Sequence, residues 1–262
     1  MIFENRSAFL ALTRRGVPGV ISHFTTRLFG EAHFLRPASS IDFRAANLNS
    51  FGTLEEVLTN FLPAQSLGEI RSALIEANEF LNKFPTADRA DLEFPERWNS
   101  GKNLQTLLYT FVRLVKPGIV FETGTANGAS ALAISGALHA NSFGHLYSFD
   151  IKHSEAPLVP PNLREKVSFV KSDATMNFLD QYAAGIEETA GIKIFLHDAD
   201  HSYLGQQNDY EFALKNGFDY ILSDDVDTSL AFCDFAAGTG TVFFDAPKFI
   251  GLVESSKVRN RK

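Results

Sequence analysis

The residues of this chain best suited to chemistry fall into two groups. The first is FETGTANGAS, residues 121–130, where the acid Glu122 precedes Gly124, Thr125, Ala126 and Gly128 directly after the apolar run GIVFE. Glycines at a strand end let something come close to the backbone. The second group lies in two short segments, FLHDADHSY (residues 195–203) and LSDDVD (residues 222–227). If these end adjacent strands, Asp198, Asp200, Asp224 and Asp225 crowd one region with His197 and His201. Carboxylates at close range raise each other's pKa unless a cation neutralises them. A divalent metal is the simplest such cation, and all-oxygen ligands favour Mg2+ or Ca2+ over zinc. His197 and His201 with one Asp make only a forced match to a two-histidine, one-carboxylate iron site.

The glycine segment differs from a dinucleotide loop. The G-x-G-x-x-G fingerprint seats a pyrophosphate on a helix N-terminus. Here the row reads Gly124, Ala126, Gly128, so the third glycine is missing. Glu122 also disfavours an anion and suits a cationic ligand such as an amino-acid ammonium group. A second reading makes Gly124 and Gly128 turn and packing glycines only.

The elements that must position these groups show in the apolar period. LEEVLTNFL, LGEIRSALIEANEFLNKF and NLQTLLYTFVRLV carry helical spacing, the last one stopped by Lys116, Pro117 and Gly118. FPTADRADLEFPERWNSG reads as a loop. After Gly118, short apolar runs alternate with helical ones: GIVFET, HLYSFDI, VSFVKSD, KIFLHDA, DYILSDD, TVFFDA and FIGLVES read as seven strands. Such alternation builds right-handed crossovers and a mostly parallel sheet covered on both faces. The last two strands have almost no chain between them, so they pair antiparallel. The expected fold is a doubly wound, Rossmann-like α/β domain over residues 105–262. An N-terminal arm and helical region, residues 1–104, precedes it. Ligands of such sheets lie beyond the carboxyl ends of the strands, where strand order reverses.

With the loop at 122–128, Asp150 ending YSFD and Asp173 in KSDA, the chain resembles the class I S-adenosylmethionine-dependent methyltransferases over roughly residues 95–254. The resemblance implies that Glu122, Gly124, Thr125, Ala126 and Gly128 pass under the amino-acid and ribose part of S-adenosylmethionine. Asp150 would hold the ribose hydroxyls and Asp173 would meet the adenine amine. Asp198 is a further implied cofactor contact. Ala126 stands where the family usually has glycine, and SDAT reads equally well as a helix N-cap. Asp198-Ala-Asp-His201 with Asp224-Asp225 is similar to a narrower group. These are the metal-dependent sugar O-methyltransferases of macrolide biosynthesis (macrocin and mycinamicin type) and the cephalosporin-hydroxylase-like proteins. By that likeness Asp198, Asp224 and Asp225 would hold Mg2+, and His201 would be the general base. Asp224 replaces the usual Glu. Asp200 then supports the shell or caps the next helix, His197 is packed on the other face of its strand, and Trp98 and Tyr109 are minor candidates for covering the ligand. The activity implied is Mg2+-assisted methylation of a hydroxyl on a sugar or small natural product.

Composition narrows the alternatives. The chain has 262 residues, 45% of them apolar, which is ample for a core, and a net charge of -7, which argues against nucleic acid as a general partner. The 25 phenylalanines fit an aromatic core better than a base-stacking platform. One cysteine, Cys233, forms no internal disulfide and has no metal-ligand neighbours, and no apolar run is long enough to span a membrane. A cytoplasmic protein is the default expectation. The N-terminal arm suits self-association into a homo-oligomer. Rival readings are a nicotinamide-dependent oxidoreductase, a hydroxylase-like relative and a non-catalytic subunit that keeps the fold. Against the first stand the missing glycine and the lack of a Tyr-x-x-x-Lys pair.

Overall fold

The computed structural model describes residues 41–85, 90–152, 155–173, 175–186, 191–245 and 248–260. Chain contacts divide the molecule into Met1–Pro37 and Ala38–Lys262, and the described residues all belong to the second unit. The first 40 residues of the expected N-terminal arm lie outside the described residues.

Eight strands form one sheet: β1 (Asn49–Phe51), β2 (Ile119–Thr123), β3 (His145–Asp150), β4 (Val167–Lys171), β5 (Lys193–His197), β6 (Tyr220–Ser223), β7 (Thr241–Asp245) and β8 (Lys248–Glu254). Their spatial order is β1-β7-β8-β6-β5-β2-β3-β4. The seven strands read from the sequence are all present. The eighth, β1, has three residues and pairs parallel with β7, too short for any alternation to show. Strand β8 runs antiparallel to both β6 and β7. Strand order reverses at β2, which has β3 on one side and β5 on the other, so the carboxyl ends of β2 and β5 mark the expected ligand position.

Among the described residues the helices are α1 (Leu54–Phe61), α2 (Leu67–Leu81), α3 (Lys102–Val115), α4 (Ala129–Asn141), α5 (Met176–Gly185), α6 (Tyr203–Lys215), α7 (Ala231–Ala236) and α8 (Ser255–Arg259). Helix α3 spans the expected boundary at residues 104/105. Ser66 and Glu69 close a capping box at the start of α2. Lys116 ends α3 in the left-handed region, φ 53°.

The pleat sorts the apolar residues into two layers. Val120, Ile194, Leu196, Leu222, Ile250 and Leu252 pack with α1 to α4 on one face. Phe121, Phe149, Phe195, Ile221 and Val253 pack with α6 and α7 on the other. The residues of β2 are all buried, because helices cover both of its faces. Phe121, Phe149, Phe195, Phe212 and Phe218 interlock at ring distances of 5.0–6.2 Å, so the phenylalanines build core. Cys233 is buried in α7, where burial pushes its thiol up to about 11. Among the described residues, no helix is long and apolar enough to cross a membrane.

Candidate active site

The glycine loop leaves β2 at Thr123 and enters α4 at Ala129. Gly124 (φ +93°) faces main chain: a Cβ there would lie 1.9 Å from the Asp198 carbonyl oxygen. That contact brings the ends of β2 and β5 together, helped by the Asp198 amide donating to the Thr123 carbonyl at 2.9 Å. Gly128 (φ +86°) precedes α4 against Ala156 and Val159. Ala126 also has positive φ, 42°, at the position where the family resemblance expects glycine.

Asp150, ending β3, reaches across to this loop. Its Oδ2 accepts from the amides of Thr125 (3.1 Å) and Ala126 (3.0 Å), and its Oδ1 from the Lys152 amide (3.0 Å). Glu122 is fully buried beneath. Its Oε2 accepts from the Ser148 hydroxyl at 2.5 Å, and Ser148 shares a second bond of 2.7 Å with Thr125. Burial pushes the Glu122 carboxyl up to about 7, against the opposite pull of Ser130 and Ser148.

A crossing segment, residues 93–100, closes this region. Asn127 pins it: Oδ1 accepts from the amides of Glu93 (3.0 Å) and Phe94 (2.9 Å), and Nδ2 donates to the Phe94 carbonyl (3.0 Å) and Asn99 (2.8 Å). Ser100 donates to Asp198 Oδ2 at 3.2 Å. Trp98, Ser100, Gly124, Thr125, Ser130 and Asp198 are among the residues lining the resulting cleft, of about 20 Å³. That is room for about one water molecule. Phe94 and Trp98 stack at 5.8 Å, with the Lys152 ammonium 5.6 and 5.8 Å from the two rings.

Asp198 also belongs to the second cluster. His201 Nε2 lies 3.5 Å from Asp225 Oδ2 and 3.9 Å from Asp198 Oδ1. Burial pushes the His201 imidazole down to about 4, opposed by Asp225, so it is neutral at physiological pH. Burial, reinforced by Asp224, holds the Asp198 carboxyl well above the usual range. Burial and Asp225 push Asp224 up to about 6.

A residue that no sequence motif singles out sits among these acids. The Lys248 Nζ lies 3.3 Å from Asp224 Oδ2 and 3.0 Å from Asp225. It reaches them because β8, antiparallel to β6, starts where β6 ends. The Val226 amide donates to the Phe249 carbonyl (3.0 Å) and the Phe249 amide to Asp227 Oδ1 (3.0 Å), tying the two together. Despite burial, the two carboxylates hold the Lys248 pKa above the ordinary lysine value. Two of the three expected Mg2+ ligands, Asp224 and Asp225, are therefore paired with an ammonium group. Among the described residues, no three His, Cys, Asp or Glu side chains are placed to hold a metal ion. In this arrangement the donor set does not fit Mg2+.

The remaining candidates make the following contacts. Asp173 accepts from the amide (2.9 Å) and hydroxyl (2.7 Å) of Thr175, which caps α5. These bonds lower its carboxyl below the usual range, and it lines no part of the cleft. Asp200 accepts from the Ser202 amide (3.0 Å), and the cap of α6 is Ser202 itself rather than Asp200. His197 is fully buried, its Nδ1 2.6 Å from Asp209, which also accepts from Thr123 at 2.7 Å. Tyr109 donates to Glu76 at 2.9 Å among the helices, away from the cleft. Two missed residues had a local signal. Asn127 lies inside the loop itself, and Asp209 lies in the second turn of α6, directly after the DHSY segment.

Residues 121–216, from β2 past the end of α6, match the family model described as a methyltransferase domain. The sheet, mostly parallel with helices on both faces, is Rossmann-like. Solved structures similar to it include an O-methyltransferase from Bacillus cereus in complex with SAH, at 16% identity over 78% of this chain and 97% of that one, TM-score 0.46. Another is the O-methyltransferase TomG from Streptomyces achromogenes, involved in tomaymycin synthesis, in complex with SAM, at 19% identity over 70% and 89%, TM-score 0.44. A third is an SAH-bound methyltransferase from Podospora anserina, at 17% identity over 70% and 87%, TM-score 0.42. No curated protein matches the chain.

Proposed function

We propose that this methyltransferase domain transfers the methyl group of S-adenosylmethionine to a hydroxyl of a small molecule, a sugar or other natural product, with His201 as general base. The observation that carries the reading is the position of Asp198. It lines the glycine-loop cleft on one side and lies 3.9 Å from His201 on the other. Cofactor and base thus meet at one carboxylate.

Each residue has a role that its chemistry supports. The Thr125 and Ala126 amides fix Asp150, whose oxygens can turn to ribose hydroxyls. Glu122 and Asp198 place two carboxyl groups around the cleft whose ionised forms a ligand carrying an ammonium and a sulfonium would favour. Methyl transfer is an in-line displacement at the methyl carbon. The acceptor O–C bond forms, the C–S bond breaks, and the hydroxyl proton moves to His201 Nε2. The neutral imidazole can take that proton, and Asp225 and Asp198 stabilise the imidazolium formed. The Mg2+ implied by the sequence resemblance forms no step of this proposal, because Lys248 occupies the acidic pair. Asp173 is retained as the partner of the adenine amine on the strength of the resemblance alone.

Calorimetry with S-adenosylmethionine and SAH tests the cofactor half. Asp150→Ala should weaken binding by about 30-fold, the loss of charge-assisted hydrogen bonds worth about 2 kcal/mol. No binding by the parent chain would end the methyltransferase reading. A panel of sugar and phenolic hydroxyl acceptors tests the other half. His201→Ala should lower turnover by about 10²–10⁴-fold with SAH affinity unchanged. An unaltered rate would remove His201 from the mechanism.

A further inference from the structure

We infer that Lys248 is a built-in cation that replaces a divalent metal at the Asp224–Asp225 pair, making this a metal-independent site. Three observations converge. The ammonium lies within 3.3 Å of both carboxylates, close enough for charge-assisted bonds to each. Both acids are buried, so they need a compensating positive charge. The lysine is also held in place by main chain: Val226 and Asp227 bond Phe249, the residue after Lys248, at 3.0 Å each. A metal would have to displace this ammonium from its two partners before it could bind them.

The charges then divide by location. Lys248 neutralises Asp224 and Asp225. Asp198, which lines the cleft, is left to meet a positive charge delivered by the ligand. In the reaction proposed above, the third N–H of Lys248 is available to an acceptor oxygen, the place a metal would otherwise fill. That last point rests on the methyltransferase reading, whereas the occupancy of the acidic pair does not.

The test is a titration of the full chain with Mn2+, following free Mn2+ by electron paramagnetic resonance. The parent should show no saturable site. Lys248→Met should gain one, lost again in Lys248→Met/Asp225→Asn, and Mn2+ should raise the unfolding midpoint of Lys248→Met by several degrees without moving that of the parent. A saturable Mn2+ site in the parent that disappears in Asp224→Asn overturns the inference. So does a folded Lys248→Met that binds no Mn2+. The parent titration can overturn it even where the variant fails to fold. Methyl transfer by the parent should also survive EDTA, and a loss restored by added Mg2+ would count against the inference. Failure to bind SAH would sink the methyltransferase reading while leaving the Mn2+ result to stand on its own.

Discussion

On the β2–β3 side of the carboxyl edge, Asp150 is held by two main-chain amides of the neighbouring loop. On the β5–β6 side, Asp224 and Asp225 are held by a side chain, the Lys248 ammonium, carried in by another strand. The first arrangement needs only the loop to adopt its turn. The second needs the last strand of the sheet to be in place and in register. A carboxylate held by amides keeps its place through local geometry. A carboxylate held by a distant ammonium depends on the whole sheet.

Three substitutions on the loop side probe this contrast, taken from the largest expected effect downward. Gly124→Ala strikes the point where the two sides touch, since its Cβ would collide with the Asp198 carbonyl. It should cost about 3 kcal/mol and lower the unfolding midpoint by roughly 6–12 °C. A tolerated alanine would show that the two sides are not rigidly joined there.

Glu122 sharpens the contrast through pH. Its carboxyl titrates near 7 in the folded chain, above the ordinary 4.5. The neutral form is favoured by folding, so this stabilisation is complete below about pH 4.5 and is lost as pH rises through 7. Against Glu122→Gln, which stays neutral throughout, the parent should lose on the order of 3 kcal/mol between pH 4.5 and 8. Parallel unfolding curves for the two chains across that range would show that Glu122 is ionised throughout.

Ala126→Gly should have the smallest effect. It relieves the left-handed strain at φ 42°, worth about 1–2 kcal/mol. It also restores about 0.4–1 kcal/mol of unfolded-chain freedom. The net gain should be about 0.5 kcal/mol, visible as a rise of roughly 1–2 °C in midpoint. A clear loss of stability would mean that the methyl group itself packs usefully in the loop.

These regions also differ in how readily the sequence discloses them. Apolar runs separated by helical ones announced the strands from β2 to β8, because strands buried on both faces leave unbroken apolar stretches. Asp150, Asp198, Asp224 and Asp225 were found because each ends or follows such a run. Lys248 was not, because nothing local marks it. It begins its strand rather than ending one, and only the antiparallel pairing with β6 brings it to the same edge. The pinning of Glu93 and Phe94 by Asn127 was hidden for a similar reason, since more than thirty residues separate the partners. The short β1 carries no period to read.

The placing of Lys248 on β8 couples the charge of the site to strand registry. Ile250 and Leu252 belong to one apolar layer and Phe249 packs against the other, so alternation puts Lys248 on the side of Ile250 and Leu252. A slip of one residue would send each side chain to the opposite face. Phe249 would then stand before two buried carboxylates, and the ammonium would point away from them. Misregistered pairing is rejected twice, once by the apolar layers and once by the stranded negative charge. The acidic pair thereby acts as a proofreading device for the final strand of the chain.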